Sequence, residues 1–198
     1  NAIAVMGLLD SYKSFEDSIF LEQASQMLHV LISENLYNNK IIKHTVNTSE
    51  SLLLLEDYVF LIDALIAYYE LTADERKLFL AKELTDFTLD TFSLEDGVYF
   101  KFSKDNAQLI TSLMVQLEDN LLPSANSKMA EILFKLNHFF GIPEYKLRAE
   151  KMTSLIQPMS FEEPLKHANW LQSIYNFTYP FYEIAITGPL AIDKMNLL

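Results

Sequence analysis

Residues 52–70 read LLLLEDYVFLIDALIAYYE, and this stretch decides the fold. At helical spacing Val59/Ile62/Ile66, Phe60/Ala64/Ala67 and Leu61/Leu65/Tyr68 form three separate apolar faces. A helix that is apolar on every side is packed on every side. Its length would just span a bilayer. Glu56, Asp57, Asp63 and Glu70 lie within it, however, and carboxylates are costly in lipid. The reading is a central helix of a globular domain, with acids at its first turn, where orphan N–H groups and the helix dipole favour them.

Outward from this helix the chain reads as a series of helical hairpins. Helix one, about 2–13, is small and apolar on most sides, whereas helix two, about 16–34, carries a single stripe of Phe20, Leu21, Ala24, Met27, Leu28 and Leu31. A polar connection, 35–51, holds the turn Asn38-Asn39 and a scrap of strand at Ile41-Ile42. After helix three comes a short turn at 72–74 and an amphipathic helix four, about 75–92. Residues 97–102 and 108–111 alternate around Asp105-Asn106 as a β-hairpin. Helix five, about 127–140, the break Gly141-Ile142-Pro143, helix six, about 144–156, and helix seven, about 165–177, follow. A strand-like run at 181–186 closes before Gly188-Pro189. The patterns Phe20-Leu21-x-x-Ala24-x-x-Met27, Leu78-x-x-Ala81-x-x-Leu84 and Lys146-Leu147-x-Ala149-x-x-Met152 recur at one place in each hairpin. Repeated hairpins predict an all-α solenoid or ring, with helices one, three, five and seven inside and two, four and six outside. The long connections then share one face, where a site is expected.

Composition agrees. Half of the 198 residues are hydrophobic, with four glycines and six prolines, as suits a single helical domain. The net charge of −12 disfavours nucleic acid and anionic membranes as partners. Cysteine is absent, which excludes thiolate chemistry within this chain, and the four histidines lack metal-ligand spacing, so no metal or cofactor is expected. No charged-then-apolar signal segment opens the sequence, and a cytoplasmic location is expected. The opening NAIAVMGLL already lies inside a helical pattern and reads as an excerpt from a longer chain, whose apolar edges would favour self-association.

The strings LEDYVFLIDALIAYYE (55–70), EDNLLPSANS (118–127) and NWLQSIYNFTYPFYEIAITGP (169–189) resemble the C-terminal part of a family of thioredoxin-fused proteins. Its mammalian relatives are called spermatogenesis-associated thioredoxin-like proteins. In that family a thioredoxin-like domain precedes an (α/α)6 toroid related to N-acylglucosamine 2-epimerases and six-hairpin glycosidases. The resemblance implies about half of such a toroid, without the thioredoxin-like domain, and a pocket for a sugar or small polar metabolite. The paired cavity histidines that epimerases of this architecture use have no match here.

Three groups of residues are candidates for that pocket. Glu56, Asp57 and Tyr58 open helix three, either as cavity carboxylates fit for sugar hydroxyls and acid–base work or as caps of their own helix. Glu118, Asp119, Asn120, Ser124 and Asn126 precede helix five, either as ligand groups or as its caps. Trp170, with Tyr175, Tyr179, Phe181 and Tyr182, offers rings for sugar stacking or for the core. Glu56, Asp57 and Asp119 are the catalytic candidates. Tyr58, Glu118, Asn120, Ser124, Asn126 and Trp170 are the ligand-binding ones. The first two groups are expected to converge on one rim. A carbohydrate-active isomerase or hydrolase needs acids free to reach one substrate, whereas an interaction domain that recognises a client for a fused thioredoxin-like domain would have its acids paired off.

Overall fold

The computed structural model describes residues 1–38, 40–44, 52–104, 114–182 and 188–189. Seven α-helices run through them: α1 (Ala2–Phe15), α2 (Ser18–Val30), α3 (Leu55–Thr72), α4 (Glu75–Phe92), α5 (Ala125–Phe140), α6 (Pro143–Glu162) and α7 (Ala168–Thr178). Between α2 and α3 a π-helical turn (Leu31–Asn35) leads into a two-stranded antiparallel ribbon, β1 (Leu36–Tyr37) and β2 (Ile41–Ile42), with Leu36 opposite Ile42. The turn passes through Asn38 at φ 50°, a backbone state that asparagine tolerates.

The three hairpin turns are built alike. Glu16, Ala73 and Gly141 each end a helix in the left-handed conformation, and their N–H groups bond back to the carbonyls of Tyr12, Tyr69 and Asn137. The next residue is the N-cap of the following helix. Asp17 and Asp74 cap α2 and α4 with their carboxylates, and Pro143 opens α6 after Ile142. So short a turn forces each pair to lie antiparallel.

α1, α3, α5 and α7 pack on one another in that order, while α2, α4 and α6 lie against α1, α3 and α5. The recurring alanines Ala24, Ala81 and Ala149 are all fully buried, which lets each outer helix approach its inner partner closely. α3 is enclosed from Tyr58 to Ile66, and α5 is nearly as deep. The expectation that all four odd-numbered helices are the buried set holds for these two only. α1 buries Val5 and Leu9, and α7 buries Trp170, Ser173 and Ile174, because each has an inner-layer neighbour on one side rather than two.

Several boundaries also differ from the sequence reading. α6 continues through Pro158 to Glu162, and the buried Ser160 hydroxyl bonds the Ile156 carbonyl beside the proline. Residues 97–102 fold back onto the end of α4, with Ser93 bridged to Phe100. Asp96 caps that turn by accepting the Val98 N–H. The expected partner segment 108–111 lies outside the described residues, as do 183–187 of the C-terminal run, and Phe181 and Tyr182 are not in a strand. Among the described residues no helix is long and apolar enough to cross a membrane.

Candidate functional site

The first turn of α3 carries Glu56, Asp57 and Tyr58, whose side chains go in different directions. Tyr58 is fully buried, stacked on Phe87 and tilted against Phe92. Its hydroxyl donates to the Lys40 carbonyl at 2.9 Å and accepts the Ile42 N–H at 3.1 Å. Burial pushes this phenol up to about 12, so it keeps its proton. Tyr58 thereby pins the β1–β2 ribbon against α3.

Glu56 and Asp57 instead face a cavity of about 290 Å³. α1 contributes Ala2 and Ile3, the ribbon and its flanks contribute Asn35, Ile42, Lys43 and His44, α3 adds Phe60 and Leu61, and Leu122 reaches in from the loop before α5. The His44 Nδ1 lies 2.9 and 3.1 Å from the two Asp57 oxygens. Burial raises the Asp57 carboxyl above its ordinary range, and the hydrogen bond from His44 works against that rise. Glu56 is raised as well, first by burial and then by the adjacent Asp57 charge, with His44 opposing. The cavity therefore joins an apolar floor to two carboxylates held in different environments. It lies at the lower end of small-molecule pocket sizes, about 300–1,000 Å³.

The second group is arranged differently. Asp119 accepts the Ser124 N–H (2.8 Å) and the Ser127 hydroxyl (3.1 Å) at the start of α5, and the Asn169 N–H (2.9 Å) at the start of α7. One carboxylate thus serves two helix N-termini, where orphan donors and both dipoles favour it. Ser124 caps α5 through the Ser127 N–H. Asn126, buried, accepts the Phe100 N–H (2.8 Å) and donates to the Phe100 and Gln116 carbonyls (3.0 Å each). Trp170, also buried, donates to the Leu117 carbonyl at 2.8 Å and meets Tyr99 edge to face. Glu118 is exposed, 3.8 Å from Lys166, and Asn120 is exposed with its N–H on the Leu122 carbonyl. None of these six lines the cavity. Leu122 lines the same cavity as Glu56 and Asp57, so the loop before α5 reaches the first turn of α3, but the second group, expected to converge with these carboxylates, does not join them there. Together these bonds hold the loop that carries Leu122.

Sequence reasoning passed over His44, Lys43, Phe60 and Leu122 as lining residues. It also left Asp63 without partners. Lys128 (3.1 Å) and Lys135 (3.9 Å) flank Asp63 across the α3–α5 seam, and both lysines also bind Glu131. The Lys128/Glu131/Lys135 spacing places all three on one helix face, a signal that was present in the sequence. Among the described residues no group of three or more histidine, aspartate or glutamate side chains could hold a metal ion.

The sequence matches no protein-family model, and no curated protein shows significant similarity to it. Solved structures do share its fold. A GH76 alpha-mannanase of Bacteroides thetaiotaomicron superposes with a TM-score of 0.71 at 15% identity, covering 89% of this chain and 50% of the mannanase. An alpha-1,6-mannanase of Salegentibacter sp., an inactive variant with two consecutive aspartates replaced by alanine and bound to alpha-1,6-mannotetrose, gives 0.64 at 16% identity, over 77% of this chain and 44% of that one. A glycoside hydrolase family 76 mannosidase, also of B. thetaiotaomicron, gives 0.61 at 14%, over 78% and 42%. The chain thus has the helical-hairpin toroid fold of these glycosidases and spans about half their length or less.

Proposed function

We propose that the chain binds a neutral sugar in the cavity at the first turn of α3, with Glu56 and Asp57 as the groups that meet its hydroxyls. The observation that carries this reading is the pair of consecutive carboxylates at the mouth of an inner-layer helix, beside Phe60 and Leu61 for the apolar face of a ring. The solved alpha-1,6-mannanase whose inactive form lacks two consecutive aspartates lends support, although the pair here is Glu-Asp rather than Asp-Asp. Its ligand makes an α-1,6-linked mannose oligosaccharide the natural first probe.

The chemistry open to such a pair is acid–base work at a glycosidic oxygen. Burial raises both carboxyls, which suits either to carry a proton to that oxygen, and the His44 hydrogen bond favours the ionised form of Asp57. Tyr58, Asp119, Ser124, Asn126 and Trp170 serve this site by fixing its wall. Isothermal titration with α-1,6-mannotetraose is the test. Saturable binding that weakens at least ten-fold in Asp57→Asn, with stability within about 1 kcal/mol of the native protein, upholds the reading. Binding as tight as the native protein's in both Asp57→Asn and Glu56→Gln overturns it.

A second reading draws on Asp119, whose carboxylate is already engaged by Ser124, Ser127 and Asn169. In it the domain is non-catalytic and recognises a client for a fused thioredoxin-like domain. Sugar titrations would then stay flat for every variant.

A further inference from the structure

We propose that His44 is a positioning residue for Asp57, fixing the direction in which that carboxylate meets a ligand in the cavity. The inference rests on reading the cavity as a ligand site, and it begins with how rigidly the imidazole is carried. The ribbon that presents His44 is closed by the Leu36–Ile42 and Tyr37–Ile41 pairs. Beyond the strands, the Lys43 N–H bonds the Asn35 carbonyl at 2.9 Å, and the Asn35 side chain returns a bond to the Lys43 carbonyl at 3.1 Å. Tyr58 then ties this ribbon to α3 through Lys40 and Ile42. Tyr58 is the residue next to Asp57, so the turn of helix that carries the carboxylate also anchors the segment that carries its partner. Their separation is fixed from both sides.

The contact itself suits positioning. Nδ1 stands almost equidistant from both Asp57 oxygens, so one N–H holds the plane of the carboxylate while leaving lone pairs on each oxygen for a hydroxyl donor. Such a bond on the surface adds little to stability: the His44 side chain is 54% exposed, and exposed pairs are nearly neutral energetically. The other charges at the cavity do not replace His44. The Lys43 ammonium lies over the Tyr37 ring, 4.1 Å from its centre. Glu56 carries the same sign as Asp57. Asn1, just before α1, also lines the cavity, and the charge of its α-amino group lowers the Asp57 carboxyl as well, but by less than His44 does, while Ala2, Ile3 and Leu122 bring no charge.

The experiment compares His44→Ala and His44→Gln with the native protein, following the Asp57 carboxyl carbon by NMR titration and α-1,6-mannotetraose by calorimetry. Removing the imidazole is expected to move the Asp57 midpoint upward and to cut sugar affinity roughly five-fold, the equivalent of one ordinary hydrogen bond. The melting temperature should barely move. The glutamine, whose amide can still donate, should recover affinity while the Asp57 midpoint stays raised. An unmoved Asp57 midpoint in His44→Ala overturns the proposal, as does a full loss of affinity that glutamine does not relieve. If the native protein binds no mannotetraose, the sugar reading fails, and the Asp57 midpoint alone then decides the role of His44.

Discussion

Asn126 commits its amide to three backbone groups of two loops, and Asp119 commits its carboxylate to two helix starts. Asn126→Ala would leave the buried Phe100 N–H and C=O without partners. The expected loss is about 2–3 kcal/mol, measurable by urea unfolding, and a loss below half of that would mean that water substitutes for the amide. Glu56 and Asp57 behave in the opposite way. Both carboxyls hold their protons more tightly in the folded chain, chiefly through burial. A group with a raised folded midpoint contributes stability that is present at low pH and fades as pH rises through that midpoint. Stability attributable to the pair therefore falls from about pH 4 upward, and Glu56→Gln should flatten the decline. An unchanged pH profile in that variant would show that Glu56 is well solvated. At this scale the sequence told only part of the story. LEDY was legible as a polar mouth, because acids interrupt an apolar run. His44 was not, because a lone imidazole after Ile41-Ile42-Lys43 has no periodic signature.

The helices were legible wherever burial imposes a period. The alanines at 24, 81 and 149 mark the close contact of each outer helix with its inner partner, and their spacing alone aligned the three hairpins. Boundaries set by local chemistry were harder to read. Pro158 stops a helix in most contexts, yet here α6 passes through it. The hairpin turns are themselves testable. Ala73 ends α3 at φ 55°, which costs a residue with a Cβ about 1 kcal/mol. Ala73→Gly should raise stability by about 0.5–1 kcal/mol, and a decrease in thermal melting would contradict the left-handed cap. Across the α3–α5 seam, Asp63 keeps two lysine ammoniums compensated. Asp63→Ala should cost about 3 kcal/mol, the scale for breaking a largely buried ion pair. Double replacement of Asp63 and Lys128 by apolar residues should cost less than that single change. Additive losses would show that the network is too wet to behave as a buried one.

For the whole molecule, the consequence of the hairpin order is that the long connections meet on one rim. The ribbon after α2 and the loop before α5 both close on the first turn of α3, so a cavity forms between segments far apart in sequence. Periodicity could predict the rim but not which polar group would face it, since that depends on how each loop is stitched. Asp119 and Asn126 are taken up by neighbouring helix starts and loop backbone, and Glu56 and Asp57 face the cavity. The toroid fold is shared with the mannanases, and the sugar site proposed above is what a titration must test. The most direct measurement is backbone amide shift mapping of the protein titrated with α-1,6-mannotetraose. Saturable shifts concentrated at Lys43, His44, Glu56, Asp57, Phe60 and Leu61 are the predicted result. Shifts concentrated instead at Glu118–Asn120 or around Tyr175–Tyr182, or no shifts at millimolar sugar, would contradict it.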